Sequence, residues 1–332
     1  MVAQNLLIYR EKRTIMKILV AGGAGFIGSN LIEALLSEGH QIVCVDNMSL
    51  GNTDNLSSVM DNPAFTFYQE DICDSQKLLD IFQREKIEYV FHLAANSDIQ
   101  ASAKNPNVEY RNTYSTTFSL LSCMRGCGVK KIFFASTSAV YGDKPGILLD
   151  ENTPNLEPVS YYGAAKLGSE ALISAFSYMN DFKALVFRFP NVIGPHLTHG
   201  VIFDFIKKLH ADSNNLEILG DGNQTKPYIY VEDLIEAIIK FMNTIDSAEK
   251  NVTLYNIGVD TATSVRRIAD ILCEEMGLTD VNYHFTGGAG GWKGDVPQFR
   301  YCLDKVHGAG WKAKYESDEA VRKTIQYTLG RK

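Results

Sequence analysis

The sequence contains no run of apolar residues long enough to span a membrane. Its first fifteen residues also lack the long apolar segment and the small-residue cleavage site of a secretory signal peptide. We therefore expect neither a membrane partner nor a cleaved leader, and we interpret residues 1–15 as an extension that precedes the fold.

A surplus of positive charge is also missing. The 332 residues carry 32 Lys and Arg against 39 Asp and Glu, for a formal net charge of -7. Nucleic acids and anionic membranes require a basic surface, so this balance argues against both kinds of partner. The 45% hydrophobic and 21% charged residues are typical of a soluble globular protein, whose length allows one large domain or two.

Cysteine is scarce and scattered. The six positions are Cys44, Cys73, Cys123, Cys127, Cys273 and Cys302. Only Cys123 and Cys127 lie close together, and their spacing suits one face of a helix better than a metal site. Because no second pair and no histidine cluster accompanies them, we expect reduced thiols in a cytoplasmic protein and no bound metal.

Between residues 17 and 47 the chain contains a strand, a glycine-rich turn, a helix and a second strand. A glycine-rich turn alone is often an ordinary loop, but this order is typical of a dinucleotide site. Gly22, Gly25 and Gly28 allow a tight turn, close approach of a pyrophosphate and helix–strand packing. Asp46 ends the second strand, where a carboxylate binds ribose hydroxyls and repels a 2′-phosphate, so NAD is favoured over NADP.

Strand-like and helix-like segments alternate from residue 17 to about residue 190. The predicted strands are 17–21, 41–45, 65–68, 89–93, 131–134 and 183–189, and the predicted helices between them include 75–83, 108–125 and 161–178. This alternation predicts an α/β fold with a doubly wound, Rossmann-type parallel sheet. Ligands of such sheets bind beyond the carboxyl ends of the strands, so the segments after the strands are expected to meet.

Three of these strand-end segments have polar or small side chains. The segment at 70–72, Glu-Asp-Ile, suits either an adenine contact or the N-cap of the next helix, and the sequence favours neither. Small residues at 94–96 would let the backbone pass close to a cofactor. The segment 136–142 is a hydroxyl cluster, which by itself is more often turn chemistry than catalysis.

Tyr162 and Lys166 are spaced i, i+4 and therefore share one face of a helix. A nearby ammonium lowers the pKa of a phenol, which makes Tyr162 a suitable base for a sugar or alcohol hydroxyl. An aromatic–lysine pair alone is usually structural, but here it follows a dinucleotide turn and a hydroxyl cluster. Tyr161 is the weaker candidate, because Ala165 stands four positions after it.

Several motifs together resemble the extended short-chain dehydrogenase/reductase family. They are GGAGFIG (22–28), Asp46-Asn47, Asp71-Ile72, Leu93-Ala94-Ala95, Asn112, STSAVYG (136–142), YGAAK (162–166) and RFPNVIGP (188–195). Within it the chain is similar to the NAD-dependent epimerase/dehydratase branch that acts on nucleotide sugars, especially its UDP-glucose 4-epimerase group. The resemblance covers residue 16 to about residue 311.

The resemblance implies a role for each matched residue. Those expected to bind NAD are Gly22, Gly25, Phe26, Ile27 and Gly28 at the pyrophosphate, Asp46 and Asn47 at the adenosine ribose, Asp71 and Ile72 at the adenine, and Leu93, Ala94, Ala95, Asn112, Tyr162, Lys166 and Pro190 elsewhere on the cofactor. Tyr162 would be the catalytic base, Lys166 its partner and a ligand of the nicotinamide ribose, and Thr137 or Ser138 the hydrogen-bond partner of the reacting oxygen. Asn112 would support the lysine through water.

The resemblance also implies a reaction, 4-epimerisation of a UDP-hexose through a 4-keto intermediate with tightly retained NAD. The dehydratases of the family resemble one another in having Asp-Glu before Val-Tyr-Gly, whereas this chain has Ser138 and Ala139. That difference favours an epimerase and leaves an NAD-dependent dehydrogenase or reductase as the alternative. A regulatory NAD-binding scaffold without turnover is disfavoured by the intact Thr137, Tyr162 and Lys166.

The C-terminal region is expected to bind the substrate. We predict an NAD-binding domain over 16–190 with a return segment at about 228–258, and a substrate domain over 191–227 and 259–330. The residues expected to contact the substrate are Asn191, Lys226, Trp292 and Lys293. Many relatives have arginine where Lys226 and Trp292 stand here; lysine neutralises phosphate without the bidentate fork, and Trp292 suits an aromatic lid. His196 and His199 are interpreted as structural.

We also expect the protein to form a homodimer. The family commonly pairs the helices at 108–125 and 161–178 of two chains into a four-helix bundle. Both segments have apolar residues beyond what the sheet would need, namely Phe118, Leu121, Leu172 and Phe176.

Overall fold

A computed structural model describes residues 14–97, 99–288 and 294–331 of the chain. The strands are β1 (Lys17–Ala21), β2 (Gln41–Asp46), β3 (Phe65–Gln69), β4 (Tyr89–His92), β5 (Lys131–Thr137), β6 (Leu148–Leu149), β7 (Lys183–Phe189), β8 (Asn191–Ile193), β9 (Asn215–Ile218), β10 (Thr225–Lys226), β11 (Tyr228–Tyr230), β12 (Val252–Asn256), β13 (Thr263–Ser264), β14 (Asn282–Phe285) and β15 (Arg300–Tyr301). Each of the six strands predicted from the sequence is present.

Helices separate most of these strands. They are α1 (Phe26–Ser37), α2 (Ser75–Glu85), α3 (Ile99–Lys104), α4 (Asn107–Glu109), α5 (Thr116–Cys127), α6 (Tyr161–Asn180), α7 (Val201–Ala211), α8 (Val231–Met242), α9 (Val265–Met276), α10 (Asp304–Gly308) and α11 (Ser317–Thr328). A π-helical segment, Tyr110–Ser115, joins α4 to α5, so the helix predicted over 108–125 is continuous but locally widened.

The central sheet has seven parallel strands in the order β12-β7-β5-β4-β1-β2-β3. The strand order reverses at β1: successive strands are added on one side as far as β3, and β4 is then added on the other side of β1. A crevice forms at such a reversal, outside the carboxyl ends of the strands. The doubly wound α/β fold predicted from the alternation is therefore confirmed.

Helices pack on both faces of the sheet through two apolar layers, so its strands are buried on both sides. Helices α1 and α8 pack on one face through side chains such as Leu31 and Phe241. Helices α2, α5 and α6 pack on the other face, where Leu121 is completely buried. The expectation that Leu121 belongs to an outward-facing apolar surface is wrong, because it points from α5 into this core.

The C-terminal region contributes to two separate cores. After α8, strand β12 returns to the central sheet and pairs with β7. Helices α7, α9 and α11 instead enclose a third apolar cluster with the β9–β14 pair, through side chains such as Phe205, Leu272 and Val321. In the described ranges, no helix combines the length and the apolar character needed to cross a membrane.

Candidate active site

The glycine turn connects β1 to α1 at the edge where the strand order reverses. Gly22 has a φ of +80°, and a Cβ built on it would lie 2.6 Å from the backbone nitrogen of Ala94. A Cβ on Gly28 would lie 2.3 Å from the Gly22 carbonyl oxygen. Neither position has space for a side chain, because the loop after β4 and the first turn of α1 both pack directly on the glycine turn.

The N-terminus of α1 fits a pyrophosphate. Gly25 is the N-cap and provides no side-chain hydrogen bond, and the first turn contains no acidic residue. The first N–H groups of a helix have no intrahelical partner, so those of Phe26, Ile27 and Gly28 remain available to an anion. The cofactor role expected of these residues stays a prediction that this geometry supports.

Asp46 lies at the carboxyl end of β2, beside the glycine turn. One carboxylate oxygen accepts from the Ala24 N–H at 3.0 Å, and the other accepts from the Met48 N–H at 2.8 Å. Burial raises the pKa of Asp46, and these two N–H donors oppose that effect. Each oxygen keeps a further lone pair for a ribose hydroxyl. Asn47 is exposed, and its side-chain oxygen accepts from the Ser49 N–H at 3.0 Å.

Asp71 follows β3 and accepts from the Cys73 N–H at 2.9 Å and from Arg111 at 2.9 Å. Partial burial raises the pKa of Asp71, but the Cys73 N–H and the Arg111 guanidinium outweigh it and lower the pKa overall. Helix α2 is capped instead by Asp74, whose side chain accepts from the Lys77 N–H at 3.3 Å. The helix-cap alternative for the 70–72 segment is therefore wrong.

The remaining predicted cofactor residues lie in loops along the same edge. The Leu93 N–H donates to the Ala21 carbonyl at 2.9 Å, which holds the loop after β4 beside the glycine turn. Half-buried Ala94 and Ala95 follow it, buried Ile72 lies in the loop after β3, and buried Pro190 follows β7.

The hydroxyl cluster after β5 meets the first turn of α6. A Cβ on Gly163 would lie 2.6 Å from the Ala139 carbonyl oxygen, so the two segments are in direct contact. This packing places Thr137 in hydrogen-bond contact with the phenol of Tyr162. Ser138 lies next to the phenol of Tyr301. Burial raises the pKa of Tyr301 well above its usual value, and the Ser138 hydroxyl opposes part of that increase. Of the two hydroxyls proposed for the reacting oxygen, Thr137 is the one beside Tyr162.

Lys166 is 2% exposed, and its ammonium donates to the Ala135 carbonyl at 2.7 Å. Burial lowers the pKa of Lys166 to about 8, although Glu109 and Glu170 oppose the decrease. The ammonium is 5.9 Å from the centroid of the Tyr162 ring.

The pKa of Tyr162 is raised, by burial first and by the charge of Glu109 second, while the hydrogen bond with Thr137 opposes both. The expected depression of this pKa by Lys166 is not present in this arrangement. The reason is that the ammonium points towards Ala135 and that desolvation dominates.

Lys226 forms an ion pair with Asp295, and the two charged atoms are 2.5 Å apart. The strand pair β8–β11 places Tyr228 opposite Asn191, and the Asn191 side chain hydrogen-bonds the Tyr228 phenol. Lys226, Asp295 and the Tyr228–Asn191 pair thus belong to one polar region, since Asp295 also acts on the pKa of Tyr228. Trp292 and Lys293 lie outside the described residues.

Comparison with known proteins agrees with this geometry. The model of the NAD dependent epimerase/dehydratase family matches residues 18–258. The chain belongs to this family. That membership confirms NAD as the cofactor and the resemblance to the extended short-chain dehydrogenase/reductases.

Individual family members are similar over nearly their whole length. A putative UDP-glucose 4-epimerase of Methanocaldococcus jannaschii is 32% identical over 93% of this chain and 97% of its own. A human dTDP-D-glucose 4,6-dehydratase is 30% identical, with coverage of 94% and 89%. The crystal structure of UDP-glucose 4-epimerase with UDP-glucose from Thermotoga maritima is 31% identical, with a TM-score of 0.83 and coverage of 95% and 99%.

The sequence analysis did not identify a buried polar group that Glu109, Asn96 and Thr113 form. Glu109 is 2% exposed and accepts hydrogen bonds from the Asn96 side chain and the Thr113 hydroxyl, each at 2.7 Å. Asn112, the residue expected to support the lysine, uses its carbonyl to accept from Thr116 at 3.1 Å. Its predicted role is untested, whereas its neighbour Thr113 is buried and donates to Glu109. The only sign of this group in the sequence is that an acidic residue, Glu109, stands four positions before a threonine, Thr113.

A second buried group fixes the orientation of α6. Arg188 donates two hydrogen bonds to Glu170, at 2.9 and 2.6 Å, and its guanidinium lies 4.8 Å from the centroid of the Tyr141 ring. Ser136 also donates to Glu170. Because Glu170 is four residues after Lys166, this bidentate pair holds the catalytic face of α6 against β5 and β7.

His196 is part of the loop after β8 and is hydrogen-bonded to Ser29 of α1, with 2.9 Å between Nδ1 and Oγ. The neighbouring Pro195 carbonyl accepts from Asn30 at 3.1 Å. These bonds attach the loop to the helix, which agrees with the structural interpretation of His196. His199 is exposed, with its Nδ1 3.5 Å from the Thr198 hydroxyl.

Proposed function

We propose that the protein is a nucleotide-sugar 4-epimerase of the UDP-hexose type, which works through a transient 4-keto intermediate with tightly bound NAD. The observation that carries this proposal is the contact of Thr137 with Tyr162, above buried Lys166, at the edge of the sheet where the glycine turn lies. Similarity to UDP-glucose 4-epimerases over more than nine-tenths of the chain supports it.

In this reaction Tyr162 acts as its phenolate, whose oxygen removes the proton from the sugar 4-hydroxyl and later returns it. Thr137 hydrogen-bonds the same oxygen and stabilises the charge that develops on it. Lys166 provides a buried positive charge beneath the phenol, held in place by the Ala135 carbonyl. NAD, when bound, accepts and returns the C4 hydride, and α1, Asp46 and the loop after β4 would hold it.

The hydroxyl cluster favours epimerisation over elimination. Dehydration of the sugar ring needs a further acid and base beside the tyrosine, and this chain has Ser138 and Ala139 after Thr137. Ser138 faces Tyr301 rather than a carboxylate. The similarity to a dTDP-D-glucose 4,6-dehydratase therefore reflects the shared scaffold.

Proton NMR of the purified protein in D2O, with UDP- and dTDP-sugars and no added cofactor, tests the proposal. We expect a C4 epimer that retains its C4 proton, because the hydride leaves and returns within one site. Solvent deuterium in the sugar would contradict this result and indicate enolisation. A one-way redox product that forms only after NAD or NADH is added would instead identify a dehydrogenase or reductase.

We further propose that residues 191–227 and 259–330 form the substrate-binding domain, in which Lys226 binds the nucleotide diphosphate and Asn191, Trp292 and Lys293 also contact the substrate. The ion pair with Asp295 holds the Lys226 ammonium in place. The core of α7, α9 and α11 gives this region a support separate from the central sheet.

Replacing Lys226 by methionine should raise the KM for a UDP-sugar by about tenfold or more, with little change in kcat. A lost phosphate contact of about 1.4 kcal/mol accounts for tenfold, and the Asp295 carboxylate, no longer facing the Lys226 ammonium, would then repel the diphosphate. Lys312→Met is the matched control, because Lys312 forms an exposed pair with Asp260 at 2.9 Å. An unchanged KM in the Lys226 variant would remove this residue from the diphosphate site.

We also propose a homodimer formed through the outer faces of α5 and α6. Large apolar side chains are exposed on these two helices and on the π-helical segment before α5, namely Tyr110, Phe118, Tyr161, Tyr178 and Met179. Phe118→Glu should convert a sedimenting dimer into a monomer, whereas Tyr327→Glu, on an exposed residue of α11, should not. A wild-type protein that sediments at the mass of one chain would contradict the proposal.

We also propose that the protein is located in the cytoplasm. All six cysteines are free, and three of them are buried. Free thiols are typical of a reducing compartment. Cell fractionation tests this location, and recovery of the protein outside the cytoplasm would contradict it.

A further inference from the structure

His196 has a left-handed backbone conformation, with a φ of +70°. Glycine adopts this conformation readily, whereas a residue with a side chain meets a steric cost there. Such conformations persist where the surrounding structure holds them, and they cluster at functional sites. The contacts of the imidazole therefore indicate what a side chain at this position provides.

The imidazole binds the first turn of α1. Its Nδ1 lies 2.9 Å from the hydroxyl of Ser29, which is 1% exposed. The Ser29 hydroxyl donates to the Phe26 carbonyl at 3.1 Å, so it accepts from an Nδ1–H group of His196. The next residue, Asn30, donates to the Phe26 carbonyl at 2.9 Å and to the Pro195 carbonyl at 3.1 Å. Two consecutive residues of α1 thus hold two consecutive residues of the loop, and we call residues 29, 30, 195 and 196 the α1 clasp.

The same loop contacts a second helix. A Cβ built on Gly194 would lie 2.7 Å from the side chain of Val231, the first residue of α8. Helices α1 and α8 pack on the same face of the sheet, so the segment 194–196 is enclosed between their N-terminal ends. Helix α7, which belongs to the separate C-terminal core, begins at Val201. The α1 clasp therefore lies where the chain leaves the central sheet.

The segment from Pro190 to His196 borders the cofactor crevice. It begins after the carboxyl end of β7 and ends at the first turn of α1. In the sheet order, β5 and β4 lie between β7 and β1, the strand that α1 follows. Pro190 is predicted to contact NAD at one end of this segment, and the Phe26 N–H is available to the pyrophosphate at the other. The α1 clasp fixes this border relative to the phosphate-binding turn.

We propose that His196 is a positioning residue for NAD, which holds the segment 190–196 against α1 through the α1 clasp and thereby slows release of the cofactor. Release requires the crevice to open along this border, and the clasp hydrogen bonds add to the free energy of that opening. The inference rests on the tightly bound NAD of the proposed function and names a residue that retains it.

Two substitutions of His196 separate this role from a structural one. His196→Ala and His196→Gly both remove the bond to Ser29, but only alanine keeps the cost of the left-handed φ. We expect NAD to dissociate about three- to tenfold faster from both variants, the factor that one hydrogen bond accounts for. With saturating NAD, the glycine variant should nevertheless unfold at a higher urea concentration than the alanine variant. A purely structural role would instead make the less stable alanine variant release NAD faster than the glycine variant.

The measurement is an exchange experiment on the holoenzyme without any sugar. The protein is loaded with radiolabelled NAD and chased with an excess of unlabelled NAD, and the label that stays bound is counted over time. Ser29→Ala removes the other half of the same bond, so it should raise the rate as much as His196→Ala does, and the double variant should raise it no further. Ser29→Ala also provides the test if the His196 variants do not fold.

His196→Asn is the conservative variant, because asparagine tolerates the left-handed conformation and has an amide N–H on Cγ, where histidine has Nδ1. It should restore the wild-type rate of release. His199→Ala is the matched control in the same loop, since His199 is exposed and its Nδ1 lies 3.5 Å from the Thr198 hydroxyl. It should leave the rate unchanged.

Unchanged NAD release from His196→Gly and Ser29→Ala would overturn the proposal. An asparagine variant that releases NAD as fast as the alanine variant would overturn it as well. Rapid release from the wild type would instead contradict the tightly bound NAD of the proposed function. The ratio of variant to wild-type rates tests His196 in either case, because the exchange needs no epimerase activity.

Discussion

Replacing Tyr162 by phenylalanine should lower kcat for epimerisation by about 10²- to 10⁴-fold, the usual contribution of a general base. The change removes one hydroxyl and keeps the ring that packs over Lys166. Thr137 then loses its partner, and the sugar 4-hydroxyl has no group to take its proton. The measurement is the epimerisation rate by proton NMR, with bound NAD quantified in the same sample.

Tyr161→Phe provides a matched control for this variant. Tyr161 is the preceding residue of the same helix, but it is 52% exposed and Ala165 stands four positions after it. Removing the Tyr161 hydroxyl keeps the ring in the proposed dimer face and should change the rate by less than about twofold. If Tyr162→Phe retained more than about a tenth of the wild-type rate, another group would have to serve as the base.

Replacing Gly22 by alanine should unfold or strongly destabilise the NAD site. Two costs add at this position. The left-handed φ of +80° costs an alanine about 1–2 kcal/mol. The added Cβ would also lie 2.6 Å from the Ala94 nitrogen and 2.7 Å from its Cα, and forcing such a backbone contact costs about a further 1–3 kcal/mol. The variant should therefore lose several kcal/mol and most of its bound NAD.

Gly39→Ala separates these two costs. Gly39 has a φ of +90°, close to that of Gly22, but nothing lies within 4 Å of its built Cβ. It should lose only the conformational part, about 1–2 kcal/mol in urea unfolding, and keep its NAD. Equal unfolding free energies for the two variants would show that the contact with the loop after β4 relaxes at no cost.

The local elements of this protein were readable in the sequence. Apolar runs such as 17–21 predict buried strands, and glycines at 22, 25 and 28 predict the turn, because side-chain period and backbone freedom are properties of neighbouring residues. The spacing of Tyr162 and Lys166 likewise determines that they share one helix face, whatever the rest of the chain does.

The tertiary structure decided what these elements meet. It placed Thr137 rather than Ser138 beside Tyr162, and it assigned the cap of α2 to Asp74 rather than to the 70–72 segment. It also buried Tyr162 and thereby raised its pKa, which the sequence alone predicted to fall. Burial and long-range charge depend on which segments pack together in three dimensions, and no spacing along the chain contains that information.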